Sequence, residues 1–261
     1  MSVGISSACF YPEISEKAVK FLCESGVSNI EIFFNSACEL EGEIFKEICS
    51  CVKENGTRVV SVHPFSSAFE PFLLFSDYER RFLDGLELYK RYFNTCTCLG
   101  AQILVLHGDR ADRTYCDERY FDRYHRLYTA AKEAGVTLAQ ENVCYCRSHD
   151  TDFLKKMRTA LKDEVAFVLD LKQARRANID YREYVEAMGE RLIHLHANDF
   201  DKTHDCLLPG KGILDFAEVY SALSAVGFGG DSIVEVYRGN YGEPYELIES
   251  MRCLERFENK K

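Results

Sequence analysis

In this 261-residue sequence, six side chains able to bind a metal or move a proton each follow an apolar or amide residue at the end of a short, largely apolar run: Val62-His63, Leu106-His107, Gln140-Glu141, Leu169-Asp170, Leu195-His196 and Val234-Glu235. Burying an unpaired charge is expensive, so carboxylates and imidazoles gathered at one end of a sheet need hydrogen bonds, mutual pairing or a cation. Side chains at i and i+2 of a strand share a face, which places Asp170 with Val168, Glu141 with Ala139 and His196 with His194. His196 stands nearer the strand end and is preferred to His194 as a ligand. Glu141, Asp170, His196 and Glu235 then offer three carboxylates and one imidazole. Such a mixed oxygen and nitrogen set suits one divalent ion, Mn²⁺ by preference, with Mg²⁺, Co²⁺ and Zn²⁺ also fitting. Each residue taken alone has a bland reading as a helix cap, loop anchor or satisfied interior hydrogen bonder. Six at strand ends favour a shared site.

Convergence of this kind requires elements that bring strand ends to one rim. Apolar, β-branched stretches recur at Val3–Ser6, Asn29–Phe34, Arg58–His63, Gln102–His107, Val136–Glu141, Val165–Asp170, Leu192–Ala197 and Ser232–Val236, with amphipathic segments between them. Helix starts are marked by Ser15, Asp117, Asp180 and Asp215 followed by early acids. Gly26, Gly56, Gly100, Gly135 and Gly227 fall where left-handed C-caps are needed before the next strand. Eight strand-helix units without a linker or composition break predict an α/β fold: a single TIM (β/α)8 barrel over residues 1–261, rather than two doubly wound halves. The longest connections, Phe65–Phe75 and Asp199–Gly212, are the expected functional loops.

Composition narrows the partners. With 32 basic and 42 acidic residues and a net charge of -10, the chain lacks the general excess of Lys and Arg that drives nonspecific nucleic-acid binding, so no nucleic-acid partner is expected. Twelve cysteines without a repeated two-residue spacing read as thiols rather than a structural zinc site. No apolar run reaches the ~18 residues that would cross a bilayer, and the start, Met1-Ser2-Val3-Gly4, lacks signal-peptide character. The expectation is a cytoplasmic protein with no membrane partner, its oligomeric state left open.

The phrases Gln140-Glu141-Asn142, Leu169-Asp170-Leu171, His194-Leu195-His196-Ala197-Asn198-Asp199, Leu208-Pro209-Gly210-Lys211-Gly212 with Asp215-Phe216, and Val234-Glu235-Val236-Tyr237 resemble the sugar phosphate isomerase/epimerase family of the xylose-isomerase-like TIM-barrel superfamily. The resemblance implies that Glu141, Asp170, His196 and Glu235 hold the metal, with Glu141 and Glu235 also acting as catalytic acid and base. It implies substrate contacts for His63 and His107. By position, Lys172 could neutralise an oxyanion and Arg238 could bind a phosphate or carboxylate bidentately, against a bland reading of both as surface charge. Proton transfer beside a carbonyl needs carboxylates at the carbon and a cation at the oxygen, in keeping with this set.

The superfamily also holds a nuclease branch with three zinc ions, whose additional ligands this sequence lacks. Gln173 stands where a His follows the strand-six Asp, and His204 and Cys206 replace the Asp and His before Gly210-Lys211-Gly212. The expected function is therefore a metal-dependent isomerase or epimerase of a small sugar or sugar phosphate, working through an enediolate. Its rivals are a lyase of the inosose-dehydratase kind, a zinc-dependent apurinic endonuclease, and a sugar-binding module that has lost its metal.

Overall fold

A computed structural model describes residues 2–113 and 116–258. Met1, Thr114, Tyr115 and residues 259–261 lie outside the described residues, and with them the first residue of the expected leaderless start and the outermost ends of the expected domain. Eight parallel strands form a closed barrel in sequence order: β1 (Val3–Ser6), β2 (Asn29–Phe33), β3 (Arg58–His63), β4 (Ile103–Leu106), β5 (Thr137–Glu141), β6 (Phe167–Asp170), β7 (Leu192–Ala197) and β8 (Asp231–Val234). β8 closes the barrel onto β1 with Ile5 opposite Val234.

Strand alternation builds two layers. Outward residues such as Ile30, Leu104, Leu138, Leu169 and Leu195 pack with Leu22, Tyr89, Tyr124, Leu154 and Leu223 of the surrounding helices in one large core. Inside the barrel Ile103, Val105, Ala139, Ala166 and Val168 form a smaller apolar plug, so the interior is packed rather than a pore. Asp150, Asp180 and Asp215 each cap the following helix by accepting a backbone N–H. The five expected glycine stops are all present, with φ between 65° and 79°.

Three strands end earlier than expected, β2 by one residue at Phe33. β4 stops at Leu106 and β8 at Val234, which puts His107 and Glu235 just beyond the ladder, at the rim itself. The connection after β3 folds into two short helical pieces, Phe65–Phe69 and Glu70–Leu73, ahead of the long helix Glu79–Leu99. Glu70 is fully buried there and accepts hydrogen bonds from Tyr89 Oη and the Gly108 N–H, tying the connection to the turn after His107. No described helix is long and apolar enough to cross a membrane.

Burial pushes the Glu70 carboxyl up to about 7, against the opposing pull of His107, Tyr89 and the Gly108 N–H. Between the ordinary carboxylate range and about 7, the unfolded chain has released a proton that the folded chain keeps. Stability therefore falls as pH rises through this window, by at most about 3 kcal/mol from this group. Glu70→Gln imitates the protonated carboxyl and should flatten the fall. Urea unfolding at pH 5 and pH 7.5 measures it, and an equal fall in both proteins would exclude Glu70 as its source.

Candidate metal centre and active site

Glu141 ends β5, Asp170 ends β6, His196 is the penultimate residue of β7, and Glu235 follows β8 directly. All four are buried, and one ligand atom from each lies within 4.8 Å of the others. His196 Nδ1 is 3.5 Å from Glu141 Oε1, 3.7 Å from Asp170 Oδ2 and 3.4 Å from Glu235 Oε2. His196 Nδ1 is buried without a hydrogen-bond partner, which is costly in an apolar interior and is relieved by a cation. These residues fit a divalent metal by donor chemistry and by geometry.

The residues flanking this group hold it in place. Asn142 accepts the Asp170 N–H at 2.7 Å and donates back to the Asp170 carbonyl at 3.1 Å, joining the ends of β5 and β6. Asp170 Oδ1 accepts from the Gln173 N–H and from Asn198 Nδ2, both at 3.1 Å, leaving Oδ2 for the centre. Gln140 donates to the His107 carbonyl at 2.8 Å while accepting from Tyr120 Oη at 2.6 Å. Asp199 gathers the N–H groups of Phe200, Gly210, Gly212 and Leu214, and a Cβ at Gly212 would sit 2.2 Å from its Oδ1. The Asn-Asp and Gly-x-Gly phrases thus shape the seventh loop.

Lys172 is buried and hydrogen-bonded to both Asp170 Oδ2 and Glu235 Oε2. Burial opposes its charge, but Asp170, Glu235 and Glu141 hold its pKa well above the usual lysine value. The same balance sets the carboxylates. Burial would push Glu141 up, yet His107, His196 and His63 bring it well below the ordinary range. In Asp170 burial is likewise outweighed, chiefly by Lys172 and His196. His196 is raised well above 6.5 by Glu235 and Glu31 against burial. Glu141, Asp170 and Lys172 are thus held in their charged forms, and a metal at His196 Nδ1 would take the place of a proton there.

Above it lies a pocket of about 230 Å³ whose lining includes His63, His107, Glu141, Lys172, Gln173 and Glu235, with Phe33, Val236 and Tyr237 as apolar wall. Asp170 and His196 are fully buried beneath its floor. His107 Nε2 is 3.0 Å from Glu141 Oε2 and 3.1 Å from His63 Nε2. His63, His107 and Glu141 form a second group with metal-ligating geometry. Burial would lower the His63 pKa, but Glu141 and Glu31 keep it raised. Of the candidate metal, catalytic and substrate-contacting residues, Arg238 is the one brought neither to this pocket nor to its floor. It is exposed, donates to the Tyr241 carbonyl at 3.1 Å and lies over the Tyr241 ring.

Sequence reasoning missed Glu31 and Ser61 and set His194 aside; the three form a buried layer under this group. Glu31 Oε2 accepts from Ser61 Oγ at 2.7 Å and lies 3.1 Å from His196 Nε2 and 3.4 Å from His194 Nε2. The available signal was a charged residue in mid-strand, in Asn29-Ile30-Glu31-Ile32-Phe33, with Ile30 and Ile32 on the opposite face.

A chain from Mycobacterium leprae (strain TN), itself an uncharacterized protein, is 27% identical over 266 aligned positions covering 90% of this chain and 89% of its own. Among solved structures, a D-tagatose 3-epimerase-like protein superposes with a TM-score of 0.79 at 19% identity, covering 98% of this chain and 97% of its own. The IolI protein, solved with a bound zinc atom, gives 0.73 at 16% identity over 99% of this chain and 96% of its own. Residues 19–257 match the family described as xylose isomerase-like TIM barrel, and the chain belongs to that family.

Proposed function

We propose that the protein is a divalent-metal-dependent isomerase or epimerase of a small sugar or sugar phosphate. The observation that carries this reading is the group Glu141, Asp170, His196 and Glu235, two of whose carboxylates open into the pocket. At about 230 Å³ the pocket lies below the ~300–1,000 Å³ typical of drug-sized ligands, and suits one small polyhydroxylated molecule. The structural relatives include a D-tagatose 3-epimerase-like protein and one with a bound zinc atom, which supports the same class.

The chain's residues divide the work. One of Glu141 and Glu235 removes the proton beside the substrate carbonyl, leaving an enediolate. The other returns a proton, either to the opposite face of the same carbon in an epimerase or to the neighbouring carbon in an isomerase, where the hydroxyl proton also passes from one enediolate oxygen to the other. A bound metal, Mn²⁺ by preference, supplies charge neutralisation for the developing oxyanion. His63 and His107 hydrogen-bond substrate hydroxyls, and Lys172 adds positive charge beside Asp170 and Glu235. Arg238 would meet a substrate phosphate or carboxylate after leaving Tyr241.

The test is turnover of a panel of ketoses and their phosphates in D₂O, with metal quantified on the same protein. The expected result is deuterium at the carbon beside the carbonyl, no loss of water, and one metal per chain. Elimination of water would assign the lyase chemistry instead, and three zinc ions with cleavage of abasic DNA would assign the nuclease.

A further inference from the structure

Glu31 lies in the middle of β2, fully buried and outside the group that could hold the catalytic metal. Its oxygens are already engaged. Oε1 accepts from Ser6 Oγ at 2.9 Å, and Oε2 accepts from Ser61 Oγ at 2.7 Å while facing His196 Nε2 at 3.1 Å. An ionised carboxylate can only accept, so the proton in the Glu31–His196 contact sits on Nε2. An imidazole that carries its proton on Nε2 keeps the Nδ1 lone pair free for a metal. Nδ1 is the atom that faces Glu141, Asp170 and Glu235 and has no hydrogen-bond partner.

We infer that Glu31 is a positioning residue that fixes His196 as the Nε2–H tautomer and aims Nδ1 at the metal, with Ser6 and Ser61 holding the carboxylate in register. The inference rests on the metal reading of the site and extends it to a layer beneath the ligands. His194 serves as a second neighbour of the same carboxylate: its Nε2 lies 3.4 Å from Glu31 Oε2 and 3.2 Å from Ser61 Oγ. Glu31, His194 and His196 also have metal-ligating geometry among themselves. The two serine hydroxyls already on the carboxylate, and the absence of Glu31 and His194 from the pocket lining, assign these two to support instead. Partners of this kind act on metal affinity through the ligand, and their loss typically weakens binding about 10–100-fold.

The experiment strips the full-length protein with EDTA and titrates Zn²⁺ and Mn²⁺ into wild type, Glu31→Gln and Ser61→Ala. Thermal melts of each apo protein monitor folding. Expected is a Kd about 10–100-fold weaker in E31Q and a smaller loss in S61A. A measurement on wild type alone stands beside it, should E31Q not fold. In the ¹⁵N-imidazole NMR spectrum of the Zn²⁺-loaded protein, His196 should show its proton on Nε2 and its metal on Nδ1. Wild-type affinity in E31Q, or a proton on Nδ1 of the loaded wild type, would overturn the role of Glu31 and leave the metal site standing. A wild type that takes up neither ion would overturn the metal reading, and this inference with it.

Discussion

Glu141→Gln and Glu235→Gln are each expected to lower kcat by about 10²–10⁴-fold, the usual worth of a positioned acid or base, with a smaller change in KM. Both carboxylates line the pocket, and both lie within 4.8 Å, ligand atom to ligand atom, of Asp170 and His196. An amide keeps one coordinating oxygen but takes no proton. If the two residues work on opposite faces of one carbon, each variant loses interconversion of epimers yet still washes deuterium into the epimer whose proton faces the surviving carboxylate. Metal content measured on both variants separates lost proton transfer from a lost ligand. Unchanged turnover in both would remove them from the acid and base roles.

The barrel was legible because its signals are local and redundant. Each strand is a short apolar run, five glycines mark helix ends, and capping aspartates mark starts, so that neighbouring signals support one another. The convergence of Glu141, Asp170, His196 and Glu235 was legible for a related reason: a charged residue at a strand end, followed by a loop, is conspicuous in an apolar sequence. Strand ends were less well placed, and the ladder stops before His107 and Glu235 because the rim turns begin there. Glu31 was hidden because its meaning comes from β1, β3 and β7, through Ser6, Ser61 and His196, and these contacts exist only after the barrel closes.

Side-chain direction was equally hidden. Lys172 and Arg238 sit at comparable offsets from Asp170 and Glu235, yet the helix Leu171–Ala177 turns Lys172 into the centre, while Arg238 stacks on Tyr241. Where the nuclease branch carries further ligands, Gln173 accepts the Cys144 N–H at 3.2 Å and His204 is exposed against Asp201. Gln173 lines the pocket with its side-chain oxygen engaged in this way, and His204 lies outside the groups that could hold a metal. The single-metal reading draws on that arrangement.

Lys172→Met is expected to lower the apo-protein melting temperature by roughly 6–20 °C and to strengthen divalent-metal binding at the same time. The ammonium now lies between two carboxylates that are almost wholly buried. Removing one member of a buried pair costs about 3–5 kcal/mol, because its partner is left charged and uncompensated, and in a chain of this length each kcal/mol moves the melting point by about 2–4 °C. The same deletion lowers the positive charge that a dication meets on approaching Asp170 and Glu235, so the sign for the metal is opposite. Binding to the folded state alone stabilises by about 2.7 kcal/mol at a hundredfold excess over Kd. Saturating Mn²⁺ should therefore raise the variant's melting point by more than it raises that of wild type. Melts with EDTA and with Mn²⁺ measure both effects. An apo variant as stable as wild type would show that the Lys172 ammonium does not neutralise these carboxylates, and weaker metal binding would show that the lysine assists the ion rather than competing with it.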